Sequence, residues 1–244
     1  MKPNERLIVA ADFKYDPTMQ SSSQVLGLAQ EIGKLNPIIK VNSALRREGY
    51  DLINWLRKKG AKVFADLKLH DIKQTEETDG TLLETFAPDI LTVMAQSGVE
   101  GMRALKLASD PGTKVIAVGV LTSLTEKDFD RMYPGRSVIQ QQVVFLEMAL
   151  EAGLDGFVCA GTELSAMRKL TGADFELIVP GIRPVWAEVK NDDQRRVTTI
   201  AEALGNGATR VVIGRPITQA ENRAHATKLS IEEIASVLAT QGGA

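Results

Sequence analysis

The 244 residues are 44% hydrophobic and 25% charged, with a net charge of −2 and an isoelectric point near 5.8. That balance is ordinary for a soluble globular chain; it offers no basic footprint for nucleic acid, and no apolar run is long enough to span a membrane. A lone cysteine, Cys159, excludes an internal disulfide framework and suits a reducing compartment, where it reads as a small buried hydrophobe.

The chain opens MKPNERLIVAADF, a charged start with too short an apolar region for a signal peptide, so the expected location is cytoplasmic. Residues 7–11 read as the first strand, ending at Asp12, and 17–33 as a helix with Val25, Leu26, Leu28, Ala29 and Ile32 on its apolar face. Strand two, 37–41, carries Lys40 near its end. Residues 45–59 read as one helix with Leu45, Leu52, Ile53 and Leu56 inward, stopped by Gly60. Strand three is 61–66, followed by a helix over 75–86; strand four is 89–93, followed by a helix over 98–108. Strand five, 114–120, leads into a short helix, 125–132, and a longer one, 137–152. Strand six is 155–159, then a helix over 162–170, and strand seven is 175–179. A polar segment, 180–196, has no clear periodicity. A helix over 198–205, strand eight over 209–213 and a last helix over 231–240 complete the chain.

Alternating strands and helices imply a parallel sheet, and strands that are apolar throughout imply that both faces are covered. Eight such units in this length favour a closed (β/α)8 TIM barrel, in a single domain over residues 1–244, above an open doubly wound sheet. No GxGxxG follows the first strand, which weakens a dinucleotide-binding reading.

In such a barrel the C-terminal ends of the strands share one mouth. Those positions carry Asp12, Lys40, Asp66 with Lys68, Thr122 with Ser123, Pro180 with Arg183, and Gly214 with Arg215. The strand beginnings carry Arg6, Pro37, Lys62, Lys114, Asp155 and Arg210, which read as solvated rims. The densest chemistry lies in VFADLKLHDIKQT, residues 63–75. Alternation points Asp66 and Lys68 to one side, with Asp71 just beyond. Such a cluster suits holding a lysine protonated and aimed; the alternative is a solvated turn with an incidental ion pair. Gly214 lets a backbone approach a ligand and Arg215 can fork onto phosphate oxygens; the alternative is a Gly-Arg-Pro turn with a solvated arginine. The 180–196 segment is either a lid or a surface excursion. No His/Cys/Asp set has transition-metal spacing. His70 reads as structural and His225 as exposed.

Together these stretches resemble the orotidine 5'-phosphate decarboxylase family. The resemblance rests on Asp66-Leu67-Lys68-Leu69-His70-Asp71-Ile72, with Ala11-Asp12, Lys40-Val41 and Leu121-Thr122-Ser123 before and after it. It continues through Pro180-Gly181-Ile182-Arg183-Pro184, Asp193-Gln194-Arg195-Arg196 and Ile213-Gly214-Arg215-Pro216. It implies a homodimeric barrel without metal or organic cofactor, converting orotidine 5'-phosphate to UMP and CO2 in pyrimidine biosynthesis. By resemblance, Lys68 is the proton donor to C6, Asp66 sits beside the substrate carboxylate, and Lys40 extends the charge network to the ribose. Asp71, Ile72 and Thr75 are expected to reach into the partner's site. Asp12 is expected on the ribose hydroxyls and Thr122 and Ser123 at the pyrimidine edge. Arg183, Gln194, Gly214 and Arg215 are expected on the phosphate, with Pro180 in the substrate pocket. Three positions depart from the family's commonest pattern: Asn42 where glycine is usual, Lys73 where proline is usual, and Met94 where histidine often stands. Two other readings stay open: a magnesium-dependent sugar-phosphate enzyme sharing the Asp-x-Lys-x-x-Asp core, and a non-catalytic nucleotide-phosphate binder.

Overall fold

Eight parallel strands close on themselves in chain order: β1 (Leu7–Ala10), β2 (Ile38–Val41), β3 (Lys62–Leu69), β4 (Ile90–Met94), β5 (Lys114–Val118), β6 (Gly156–Val158), β7 (Glu176–Val179) and β8 (Arg210–Ile213). The computed structural model describes all residues except Tyr15, Pro17, Met19, Gln20, 188–197 and 242–244. β8 pairs with β1, so no edge is left open. Helices between successive strands cover the outside. Among the described residues no helix is long and apolar enough to cross a membrane.

A parallel strand buried on both faces divides its side chains in steps of two. One set, including Leu7, Ile39, Val63, Leu91, Val115 and Val211, packs outward into a large cluster with the helices. The other set, Ile8, Ile38, Phe64, Ile90, Ile116, Ile178 and Val212, forms a separate cluster within the barrel. Extending that inner set two residues toward the C-terminal mouth gives Lys40 from Ile38, Asp66 from Phe64 and Thr92 from Ile90. Extending it the other way gives Lys114, Glu176 and Arg210. The barrel interior is therefore an apolar plug between two charged layers.

The lower layer corrects one expectation. Arg210 is not part of a solvated rim: it is buried, and so is Glu176. The Arg210 guanidinium forks onto Glu176 at 2.6 and 2.9 Å, and Lys114 pairs with the same carboxylate. Burial pushes the Glu176 carboxyl up, but Arg210 and Lys114 more than offset it and hold it below its ordinary value. Pro37 is also buried, whereas Lys62 is exposed.

Other differences have local causes. The 45–59 helix is two helices, Ser43–Glu48 and Asp51–Lys58, because Gly49 adopts φ +80° and ends the first. The last helix begins earlier, at Arg223, and runs to Gln241. Two four-residue helices, Pro3–Arg6 and Arg215–Thr218, have too few residues to produce a periodic signal. Two helix starts are fixed by local chemistry: Ser137 and Thr199 close capping boxes with Gln140 and Glu202.

Candidate active site

β3 runs three residues past its expected end, to Leu69, and there the site is built. Its pairing with β4 shifts register between Ala65 and Leu69, and Lys68 adopts φ +50°, a left-handed conformation unusual for a residue with a side chain. Thr92 on β4 holds this irregularity in place. Its hydroxyl accepts the Lys68 backbone N–H at 2.9 Å and donates to Asp66 Oδ1 at 3.1 Å. Thr92 is fully buried. It was missed in the sequence, where its only signal is a lone hydroxyl in the run Ile90-Leu91-Thr92-Val93.

Four charges then form a chain. Lys68 Nζ donates to Asp66 Oδ1 at 2.7 Å, Lys40 Nζ to Asp66 Oδ2 at 3.0 Å, and Lys40 Nζ to Asp12 Oδ2 at 2.7 Å. Asp66 and Lys40 are buried, with 8% and 10% of their side chains exposed, whereas 29% of Lys68 and 53% of Asp12 reach solvent. Burial raises the Asp66 carboxyl, but Lys40 and Lys68 more than offset it, so the group stays below the usual range. Burial likewise lowers the Lys40 ammonium, and Asp66 and Asp12 overcome that to hold it above its ordinary value. The outer members border a cavity of about 560 Å³ at the C-terminal mouth. That volume lies within the range of small-molecule sites.

Thr122, Pro180, Arg183, Gly214 and Arg215 line the same cavity, with Val118, Val158, Cys159 and Ile178 as apolar floor. Pro180 leads into Gly181, whose φ of +77° turns the chain away from β7. Ile182 and Thr198 then form a parallel bridge, and the Arg183 N–H donates to the Thr198 carbonyl at 2.9 Å. The two feet of the long segment after β7 are thus pinned together beside the cavity. Trp186 packs against the outer core. A side chain at Gly214 would make only ordinary contact with Ala10, so the space above it is open to a ligand.

A model of the family described as "Orotidine 5'-phosphate decarboxylase / HUMPS family" matches residues 5–229. The chain belongs to this family. It is 38% identical to an orotidine 5'-phosphate decarboxylase of Streptococcus gordonii, over 89% of this chain and 93% of that protein. It is 34% identical to one of Heliobacterium modesticaldum, over 98% and 99%. The crystal structure of orotidine 5'-phosphate decarboxylase from Lactobacillus acidophilus superposes with a TM-score of 0.76 at 27% identity, covering 94% of this chain and 98% of that one.

Not every residue expected at the site lines this cavity. Asp71 and Ile72 stand exposed on the lip beyond β3, and Thr75 is half-buried beside them; Ile72 is 69% exposed, unusual for a large apolar side chain. Within the chain, Asp71 Oδ1 accepts the Ile72 N–H at 2.7 Å. Ser123 is exposed next to Thr122, and Gln194 lies outside the described residues. His70 and His225 are both exposed. Of the three departures from the family pattern, Lys73 takes the first position of the helix Lys73–Glu84, where proline is favoured only for its fixed φ. Met94 ends β4. Asn42 stands at the N-cap position of the helix Ser43–Glu48 without a side-chain cap, and its side-chain oxygen is buried without a partner among the described residues.

Proposed function

We propose that this carboxy-lyase converts orotidine 5'-phosphate to UMP and CO2 with the Lys68 ammonium facing C6 of the pyrimidine. The observation carrying the reading is the Asp12–Lys40–Asp66–Lys68 ion-pair chain, which opens into a cavity that Arg183 and Arg215 also line. Breaking the bond from C6 to the carboxylate releases CO2 and leaves the electron pair on C6, where the ring offers no obvious resonance sink. A fixed ammonium stabilises that charge as it develops and then transfers its proton to C6. Lysine suits this task better than arginine, because an ammonium can give up a proton and a guanidinium does not. Solvent then reprotonates the amine through the mouth.

Asp66, buried and held by Lys40, Lys68 and Thr92, keeps its charge beside the substrate carboxylate and fixes the direction of Lys68. Lys40 and Asp12 face the ribose, and Thr122 with Ser123 faces the pyrimidine edge. Pro180, Arg183, Gly214 and Arg215 surround the phosphate. Binding energy from a phosphate remote from C6 can organise the reacting end. We place Asp71, Ile72 and Thr75 in the site of a second subunit. The exposed apolar Ile72 and the lip position of Asp71 support a homodimer in which each site draws on two chains. We also assign one barrel domain to residues 1–244 and a cytoplasmic location.

The test is the loss of orotidine absorbance with purified protein, with and without EDTA. Turnover that survives the chelator supports metal-free chemistry on Lys68. Turnover abolished by EDTA moves the protein to magnesium-dependent chemistry, and UMP binding without CO2 release makes it a binder.

A further inference from the structure

The lip that carries Asp71 is held from beneath by a carboxyl group that the reaction does not use. The residue preceding the helix Lys73–Glu84, at its N-cap, is Ile72, which has no side-chain acceptor with which to cap it. Two acids take over that task. Asp71 Oδ1 accepts the Ile72 N–H, and Glu76 Oε1 reaches back to accept the Asp71 N–H at 3.0 Å. The same Oε1 accepts the Ser97 hydroxyl at 2.8 Å. Ser97 ends the 3₁₀ turn that follows β4, the strand carrying Thr92. One oxygen therefore ties the loop after β3 to the loop after β4.

Glu76 is an expensive way to make that tie. It is 0% exposed, and its second oxygen, Oε2, is buried with no hydrogen-bond partner among the described residues. Burial is the main cause that lifts its carboxyl above the ordinary value; the Asp79 and Asp71 charges add to it. An apolar side chain would fill the same space without desolvating an acid. What only an acceptor provides is a fixed Asp71 backbone.

We propose that Glu76 is a positioning residue: it sets the orientation in which Asp71 leaves its own subunit to meet the site of the second one. This rests on the two-chain site proposed above. Glu76 touches no substrate and acts through Asp71 alone.

The test compares Glu76→Leu, Glu76→Gln, Ser97→Ala, Asp71→Ala and the double variant Glu76→Leu/Asp71→Ala, reading kcat, KM, thermal unfolding and sedimentation. Glu76→Leu removes the acceptor and is expected to lower kcat about 10- to 100-fold in a folded dimer, with KM within about threefold. Glu76→Gln keeps the oxygen and is expected to restore kcat to within about threefold of the wild type. Because Glu76 acts through Asp71, the double variant is expected to be no slower than Asp71→Ala. A folded Glu76→Leu dimer with wild-type kcat, beside a slow Asp71→Ala, overturns the proposal and leaves the two-chain site standing. Losses that multiply in the double variant overturn it as well. An Asp71→Ala variant with wild-type kcat overturns the two-chain site itself. If Glu76→Leu does not fold, Ser97→Ala and Glu76→Gln decide: a severalfold fall in kcat for the first with retention in the second supports the proposal, and a glutamine variant as slow as Asp71→Ala refutes it.

Discussion

The barrel holds a buried carboxylate at each end, and the two are treated differently. At the N-terminal end, Glu176 is enclosed by a rigid arginine fork and a lysine, beneath the inner apolar cluster. At the C-terminal end, Asp66 receives two lysines and a threonine hydroxyl, and Lys68 reaches solvent and borders an open cavity. Arginine presents a planar fork that stays charged; lysine presents a point charge that can release a proton. The closed end thus uses a cation suited to permanence, and the open end uses one suited to transfer. Geometry separates them in the same way. β7 and β8 pair in regular register at the closed end, whereas β3 breaks register against β4 where Lys68 is placed. Backbone strain of this kind persists only where surrounding contacts over-determine it, and here Thr92 supplies those contacts on both sides of the irregularity.

The widest separation between the two ends is expected from Lys68→Ala. It removes both the stabilising charge and the proton source, so turnover is expected to fall by at least about 10³-fold. The variant should retain nucleotide binding and unfold near the wild-type temperature. Near-wild-type CO2 release would erase the distinction between the ends. The counterpart is Glu176→Ala, which strands Arg210 in the interior. Stability is expected to drop by about 3–5 kcal/mol, measured by urea unfolding, while KM for orotidine 5'-phosphate in the folded fraction stays unchanged. A changed KM at unchanged stability would mean that the lower cluster serves the site.

Both clusters could be located from the sequence only in part, for a single physical reason. Inward-facing residues on each strand fall two apart, so Lys40, Asp66 and Arg210 all follow from the apolar residues beside them. At the C-terminal end alternation suggests that Asp66 and Lys68 share a side, and the structure joins them by an ion pair although the strand is irregular between Ala65 and Leu69. At the N-terminal end a charge at the start of a strand reads as solvated, and nothing local reveals that Glu176 and Arg210, separated by 34 positions, meet across neighbouring strands. The apolar run that marks β3 stops at Asp66, whereas the strand itself continues to Leu69 and its polar residues line the mouth. Gly49 passed unnoticed inside a helical pattern whose periodicity runs through it. Thr92 carried too little signal to stand out. The lip residues Asp71 and Ile72 stand exposed outside the cavity, and the role proposed for them needs a second subunit, which one chain's sequence pattern cannot display.

A smaller effect is expected at the end of the cavity lined by Arg183 and Arg215, the proposed phosphate site. Arg215→Ala removes one charge-assisted contact, worth about 1.5–3 kcal/mol, so kcat/KM is expected to fall roughly 10- to 100-fold. Arg215→Lys should recover part of this and not all, because an ammonium cannot fork onto two oxygens. An alanine variant with wild-type kcat/KM would leave the cavity's charge concentrated around Lys68 and remove the phosphate from the reading.

The smallest effect separates the buried acids by the sign of their pH dependence. Glu176 and Asp66 lie below their ordinary values of 4.5 and 3.8 in the folded chain. In the window between the two values the unfolded chain binds more protons, so stability there rises with pH. Their contribution is fully present above the ordinary values and is lost as pH falls through the lower folded ones. Glu76 lies above its ordinary 4.5. The folded chain then holds the extra proton, and stability declines as pH rises from 4.5 through the raised value. Urea midpoints measured against pH should therefore show Glu76→Gln gaining on the wild type as pH rises through that window. Glu176→Gln, although less stable throughout, should lose less than the wild type on acidification, because the acid whose protonation weakens the fold is gone. If Glu76→Gln instead tracks the wild type at constant offset, its carboxyl is not strained by burial, and the contrast between a satisfied acid and a half-satisfied one fails at Glu76.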